Sequence, residues 1–173
     1  MSPAQDARDD VEVSRLLAGA AKVIARVRYC WLVTEAETGG VCARPMGRLL
    51  PNPEKNDWTI RFVTDGRSGK VRDIRRAGKV GLIFQHDPDD AFVALTGRAT
   101  LQRDSEVRRL WKDAFDAYFP TPADRANAAF VEVDIERMEL WIRGVTPEPF
   151  GLLPTTLERG EGGAWRSSDR NAA

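Results

Sequence analysis

Histidine occurs once in these 173 residues, and cysteine only twice. A single imidazole, His86 in the turn "QHDPDD", excludes a multi-histidine metal centre and leaves no metal site to expect. A turn centred on Thr38 and Gly39 pairs Cys30 with a residue near Gly47, so Cys30 and Cys42 do not meet. Without metal-type spacing either, they read as free thiols in a reducing cytoplasm. An excess of one charge is also missing, since 26 Lys and Arg balance 26 Asp and Glu. Nucleic-acid binders carry a basic excess or stripe, so no nucleic-acid partner is expected. A local anion site needing one or two cations survives that balance. No apolar run approaches the ~18 residues of a membrane helix. The polar, acidic start "MSPAQDARDD" is no signal peptide, which adds to the expectation of a cytoplasmic protein without a membrane partner.

What is present suits one domain. A chain of this length that is 42% hydrophobic can bury a real core. Residues 1–9 read as disordered, 10–146 as a single folded domain, and 147–173 as a loosely structured tail. Leu16, Leu17, Ala20, Val23, Ile24 and Val27 recur at helical spacing over 10–27. "YCWLVT", the turn "ETGG" and "VCARPMGRLL" form a β-hairpin pattern. "WTIRFVT", "KVGLIFQ", "AFVALTGRATLQ", "AAFVEVDI" and "RMELWIRG" supply five more strands, the last two separate. A helix is expected over 104–119, where Val107, Leu110, Trp111, Ala114 and Phe115 recur, until Pro120 stops it. About seven hairpin-connected strands with helices between them predict a mainly β, antiparallel small barrel.

Three places carry candidate chemistry. "TDGRSGKVRDIRRAG" turns from a strand into a short helix. Ser68 suits the N-cap, while the free amides, the helix dipole and Lys70 suit an anion. The glycine spacing and the valine after the lysine differ from a nucleotide-triphosphatase loop. Cap and cradle both remain open. In the hairpin's second arm, Arg44, Met46 and Arg48 share one face. Pro45 lacks an amide donor, so the strand is irregular or at an edge, presenting Arg44 to a ligand or to solvent. In the last strand Met138, Leu140 and Ile142 point inward, which leaves Trp141 beside Glu139 and Arg143. A tryptophan there wants an interface or the cover of the first helix.

"RPMG" (44–47), "WTIRFVTDGRSGKV" (58–71), "FVALTGRATL" (92–101), "LWKDAFDAYFP" (110–120) and "VEVDIERMELW" (131–141) occur in an order that resembles the pyridoxamine-phosphate-oxidase-like flavoproteins, in their general stress protein branch. The resemblance implies a six- to seven-stranded split β-barrel with peripheral helices, forming a homodimer with FMN at the interface. It places Ser68 and Lys70 on the FMN phosphate, with Arg44 reaching across. Arg44, Pro45 and Met46, with Val63 and Thr64, would line the ring. Trp141 matches a tryptophan near the flavin, and Trp111 approaches the ring from the partner chain. One segment departs from the pattern. The oxidases follow the last tryptophan with an arginine–histidine segment that binds the vitamin phosphate, whereas here "WIRGVTPEPFG" follows. Pyridoxamine-phosphate oxidation is therefore not expected. The resemblance implies an FMN-dependent oxidoreductase with a small-molecule electron donor or acceptor and no identified catalytic side chain. The alternative is a flavin-binding protein without turnover, serving storage, sensing or stress.

Overall fold

The structure, a computed structural model, describes residues 3–49, 58–102, 109 and 111–168. Helix α1 spans Pro3–Arg26. Strands β1 (Tyr29–Glu35) and β2 (Val41–Gly47) form the expected hairpin, in which Cys30 faces Met46 and Cys42 faces Thr34. Strand β3 (Thr59–Asp65) leads into α2 (Gly69–Ala77). Strands β4 (Lys79–His86) and β5 (Ala91–Leu101) follow, joined through a short 3-10 turn at Asp87–Asp89. A second 3-10 turn, Asp113–Phe115, precedes α3 (Pro122–Ala126). Strands β6 (Ala128–Ile142), β7 (Thr155–Arg159) and β8 (Trp165–Ser167) complete the order.

All eight strands join one antiparallel, open sheet in the order β2-β1-β4-β5-β6-β7-β8, with β3 paired to β6. Strand β6 is the branch point. Its first half takes β3 on its free edge, and its second half takes β7. That arrangement is a split barrel. The core fills its concave side, where Leu32, Phe62, Leu82, Phe84, Leu95 and Leu140 are fully buried. Leu16, Ala20, Val23 and Ile24 of α1 close that side, as their helical spacing predicts.

Several expectations need correction. Helix α1 begins at Pro3, not near residue 10. The stretch from Ala4 to Arg8 has no apolar stripe, but proline suits a first helical turn and alanine, glutamine and arginine are good helix formers. The two final strands are one. A bulge between Thr96 and Gly97 absorbs Glu136, so β6 continues unbroken. Gly97 is needed there, because a Cβ would lie 2.2 Å from the Asp134 carbonyl oxygen. Residues 104–108 and 110 of the expected helix lie outside the described residues, and Arg109 is helical. From 111 to 119 the chain is irregular apart from the turn at Asp113. Trp111, Phe115 and Phe119 match helical spacing, yet they pack edge-on against each other and on Phe130 as a separate small cluster. The segment 147–168 is not loose. It holds β7 and β8, anchored by the fully buried Leu157 and by Trp165 edge-on to Trp58. The hairpin hides in sequence because its strands are short and glycines surround its turn.

Candidate functional site

The second arm of the hairpin is an edge strand, as Pro45 requires, but its arginine is not solvated. Cys42, Arg44 and Met46 form the inward row of β2, and Val41, Ala43, Pro45 and Gly47 are exposed. Arg44 is held in place: Nη1 donates to Thr34 Oγ1 at 2.9 Å, and Nη2 lies 3.5 Å from Asp73 Oδ2 on α2. Asp73 also accepts from the Thr34 hydroxyl at 2.8 Å. The guanidinium is thus fixed beside the start of α2.

At that start, Ser68 has the extended backbone of an N-cap, but its side chain makes no cap hydrogen bond. The cap role expected of it is absent. Its Oγ is buried and has no hydrogen-bond partner among the described residues. The amides of Gly69 and Lys70 also make no hydrogen bond among the described residues, and no acidic residue lies in the first turn. Lys70 stands there instead, with its pKa lowered by burial and by the nearby Arg44 charge, and Asp65 opposing the shift. A buried hydroxyl without a partner costs roughly 1–3 kcal/mol, and a cation at a helix N-terminus opposes the dipole. An anion at this point would relieve both costs, so the residues present fit a phosphate. Gly66 has a different role. A Cβ there would lie 2.9 Å from the Asn127 carbonyl oxygen, which accepts the Gly66 amide at 2.7 Å. It fits a close backbone crossing, not a cradle.

Next to this cluster opens a cavity of about 760 Å³. Pro45, Met46, Val63 and Thr64 all line it, so four of the nine site residues read from the sequence meet on its walls. Ser68, Lys70 and Arg44 lie outside the cavity lining; Asp65 lines it and is close enough to influence Lys70. Trp111 stands behind the far wall, its Nε1 donating to Asp116 Oδ1 at 3.0 Å and its ring packed on the wall residues Phe115 and Phe119. Trp141 does not reach the cavity of its own chain. It pairs with Phe92 on the outer sheet face, half-buried, opposite the side that α1 covers. The cover of the first helix is therefore excluded.

Sequence reading missed part of the lining. Arg28, Tyr29 and Asp124 lie in no motif, and Arg48, Lys112 and Tyr118 lie in quoted stretches without having been read as site residues; only the fold brings the six together. Asp124 leaves one sequence signal, the capping box formed with Thr121.

A family model described as pyridoxamine 5'-phosphate oxidase like matches residues 18–146. The fold is similar to a general stress protein 26-related protein of Clostridium acetobutylicum, of the pyridoxinephosphate oxidase family. That match has TM-score 0.67 at 19% identity and covers 83% of this chain and 94% of the other. It is also similar to an FMN-binding, pyridoxamine 5'-phosphate oxidase-related protein of Nostoc punctiforme, with TM-score 0.65 at 17% identity and 96% of each chain covered. An F420 reductase shares the fold with TM-score 0.53 at 16% identity, over 68% of this chain and 93% of that one. No curated protein matches the chain by sequence.

Proposed function

Because the chain belongs to the pyridoxamine 5'-phosphate oxidase like family, we propose that it binds FMN and acts as an oxidoreductase on a small molecule. The observation that carries this reading is the buried Ser68 hydroxyl, left without a partner beside Lys70 at the start of α2. In this reading Ser68, Lys70 and the amides of Gly69 and Lys70 bind the phosphate. Arg44, oriented by Thr34 and Asp73, adds positive charge. The β2 backbone at Arg44, Pro45 and Met46 and the β3 residues Val63 and Thr64 take the ring, with Trp111 stiffening the wall behind. Bound there, FMN supplies hydride-transfer chemistry, and the protein contributes position and electrostatics.

The carboxylates at the cavity are already engaged. Asp65 is bonded by Arg67, whose contacts hold its carboxyl down at about 2. Asp124 caps α3. That leaves no free carboxylate and no imidazole on the walls among the described residues, which favours direct hydride transfer over carboxylate or histidine proton chemistry. The same observation also suits a protein that holds flavin without turnover. Steady-state reduction by NADH or NADPH with an acceptor separates the two.

A second copy of the chain belongs to this reading. Tyr29, Trp31 and Ile83 are 53%, 48% and 40% exposed on the outer face that also bears Trp141 and Phe92. Covering that face between two copies, with more than ~1,000 Å² buried, would bring Trp141 toward the partner's site. Sedimentation should give a dimer at micromolar concentration, and a monomer would contradict it.

The primary test is direct. Purified protein stripped of ligand should quench FMN fluorescence on titration with micromolar affinity or better. F420 run in parallel tests the rival cofactor that the fold also accommodates in a relative. Failure to bind FMN, or a clear preference for F420, overturns the reading.

A further inference from the structure

The cavity carries more positive charge than its own carboxylates can answer. Its two acids are occupied from outside. Arg67 reaches Asp65 through its backbone amide and two side-chain nitrogens, at 2.8, 2.9 and 2.6 Å. Asp124 Oδ2 accepts from the Thr121 hydroxyl at 2.6 Å, and its other oxygen lies 3.8 Å from Arg67 Nη2. Arg67 itself does not line the cavity.

Three cations do line it: Arg28, Arg48 and Lys112. None pairs with a carboxylate among the described residues. Arg28 lies over the Tyr29 ring, 5.1 Å from its centre. Arg48 donates to the Ile24, Val27 and Ala25 carbonyl oxygens that end α1, which fixes its direction. Its Nη1 is buried with no hydrogen-bond partner among the described residues. Apart from the surfaces given to the ring, the wall is mainly apolar and aromatic, built from Leu49, Phe115 and Phe119 with Tyr29 and Tyr118. Cations held around a largely apolar, aromatic wall recognise a flat apolar body with one negative group, and an exposed mouth lets that group keep some water.

We propose that this cavity selects a small aromatic carboxylate as the substrate, with Arg28 and Lys112 reading the charge at the mouth and Arg48 behind them. The inference rests on the ring-site reading only in calling the ligand a substrate; the selectivity belongs to the chain's own residues. Arg48 also ties down α1, so it is left intact in the test. Arg28 and Lys112 are exposed, and replacing them leaves the packed core untouched.

The experiment compares naphthoate with its neutral isostere naphthamide by calorimetric titration at low salt, on protein with and without FMN. Naphthoate should bind about tenfold more tightly than naphthamide, as one charge-assisted contact predicts. Arg28→Gln combined with Lys112→Gln should bring the two ligands to parity, with an unchanged circular dichroism spectrum. Equal affinities in the wild type, a preference that survives the double substitution, or no naphthoate binding up to millimolar concentration would overturn the proposal. So would simple competition between naphthoate and FMN, which would assign these cations to the cofactor. If FMN does not bind but the carboxylate preference holds, the cofactor reading fails and the selectivity stands.

Discussion

Two helices of this protein begin in opposite ways. At α3, Thr121 accepts the Asp124 amide, Asp124 bonds back to the Thr121 backbone, and Pro122 fills the first turn. An acid lies where the dipole wants one, and the cap's donors are met. At α2, the corresponding serine is idle, the first turn has a lysine in place of an acid, and two amides are unmet. The two helices are neighbours: Asn127, which ends α3, accepts the Gly66 amide ahead of α2, and Arg67 touches Asp65 and approaches Asp124. The first is complete within the chain. The second becomes complete only with an external anion, and the difference separates a stabilising device from a binding one.

The join between the two helices gives the largest effect. Gly66→Val would push a side chain into the Asn127 carbonyl, costing ~1–3 kcal/mol as overpacking does. Urea unfolding would measure it, and an unchanged midpoint would mean that the close crossing of Gly66 and Asn127 does not tie the two helices together. The caps themselves sharpen the contrast. Thr121→Ala should cost ~1 kcal/mol through loss of the capping box. Ser68→Ala should cost nothing in the ligand-free protein, since its hydroxyl has no bond to lose. Equal losses at both positions would erase the distinction. The smallest effect is in acid. Arg67 depresses the Asp65 carboxyl from 3.8 to about 2, so its contribution is present above 3.8 and fades as the pH falls toward 2. Because the pair is exposed and screened, Asp65→Asn should only slightly flatten the acid side of a stability profile.

Much of this was legible in the sequence, for definite physical reasons. Alternation and helical spacing depend only on which residues are apolar, so the strands through β5 and the inward row of Met138, Leu140 and Ile142 could be read directly. The β-hairpin register followed from its turn to within one residue, since Cys30 faces Met46 in place of Gly47. Pro45, Met46, Val63 and Thr64 could be grouped because contiguous motifs carry them. Where reading failed, the deciding contact was long-range. The spacing of Trp111, Phe115 and Phe119 suits a helix as well as a cluster on Phe130. Nothing local says that Arg44 turns inward to Asp73, or that a bulge opposite Gly97 keeps β6 whole. The cap at Ser68 was the natural local inference, and only the tertiary position of its hydroxyl refutes it. Arg28 belongs to no motif, and nothing in the stretch around Lys112 says that its charge faces the cavity, so the charge of the cavity could not be read before folding.

The central claim is that α2 begins as it does to hold a phosphate, and ligand affinity for wild type and Lys70→Ala tests it most directly. FMN carries the phosphate and riboflavin lacks it, with the same ring. Removing one charge-assisted contact to a dianion should weaken FMN binding about ten- to a hundredfold, ~1.5–3 kcal/mol. Riboflavin affinity should barely change. The ligand-free variant should melt no lower than the wild type, because burial and Arg44 make the charged lysine unfavourable in the folded state. Equal losses for FMN and riboflavin, or no loss for either, would contradict the account.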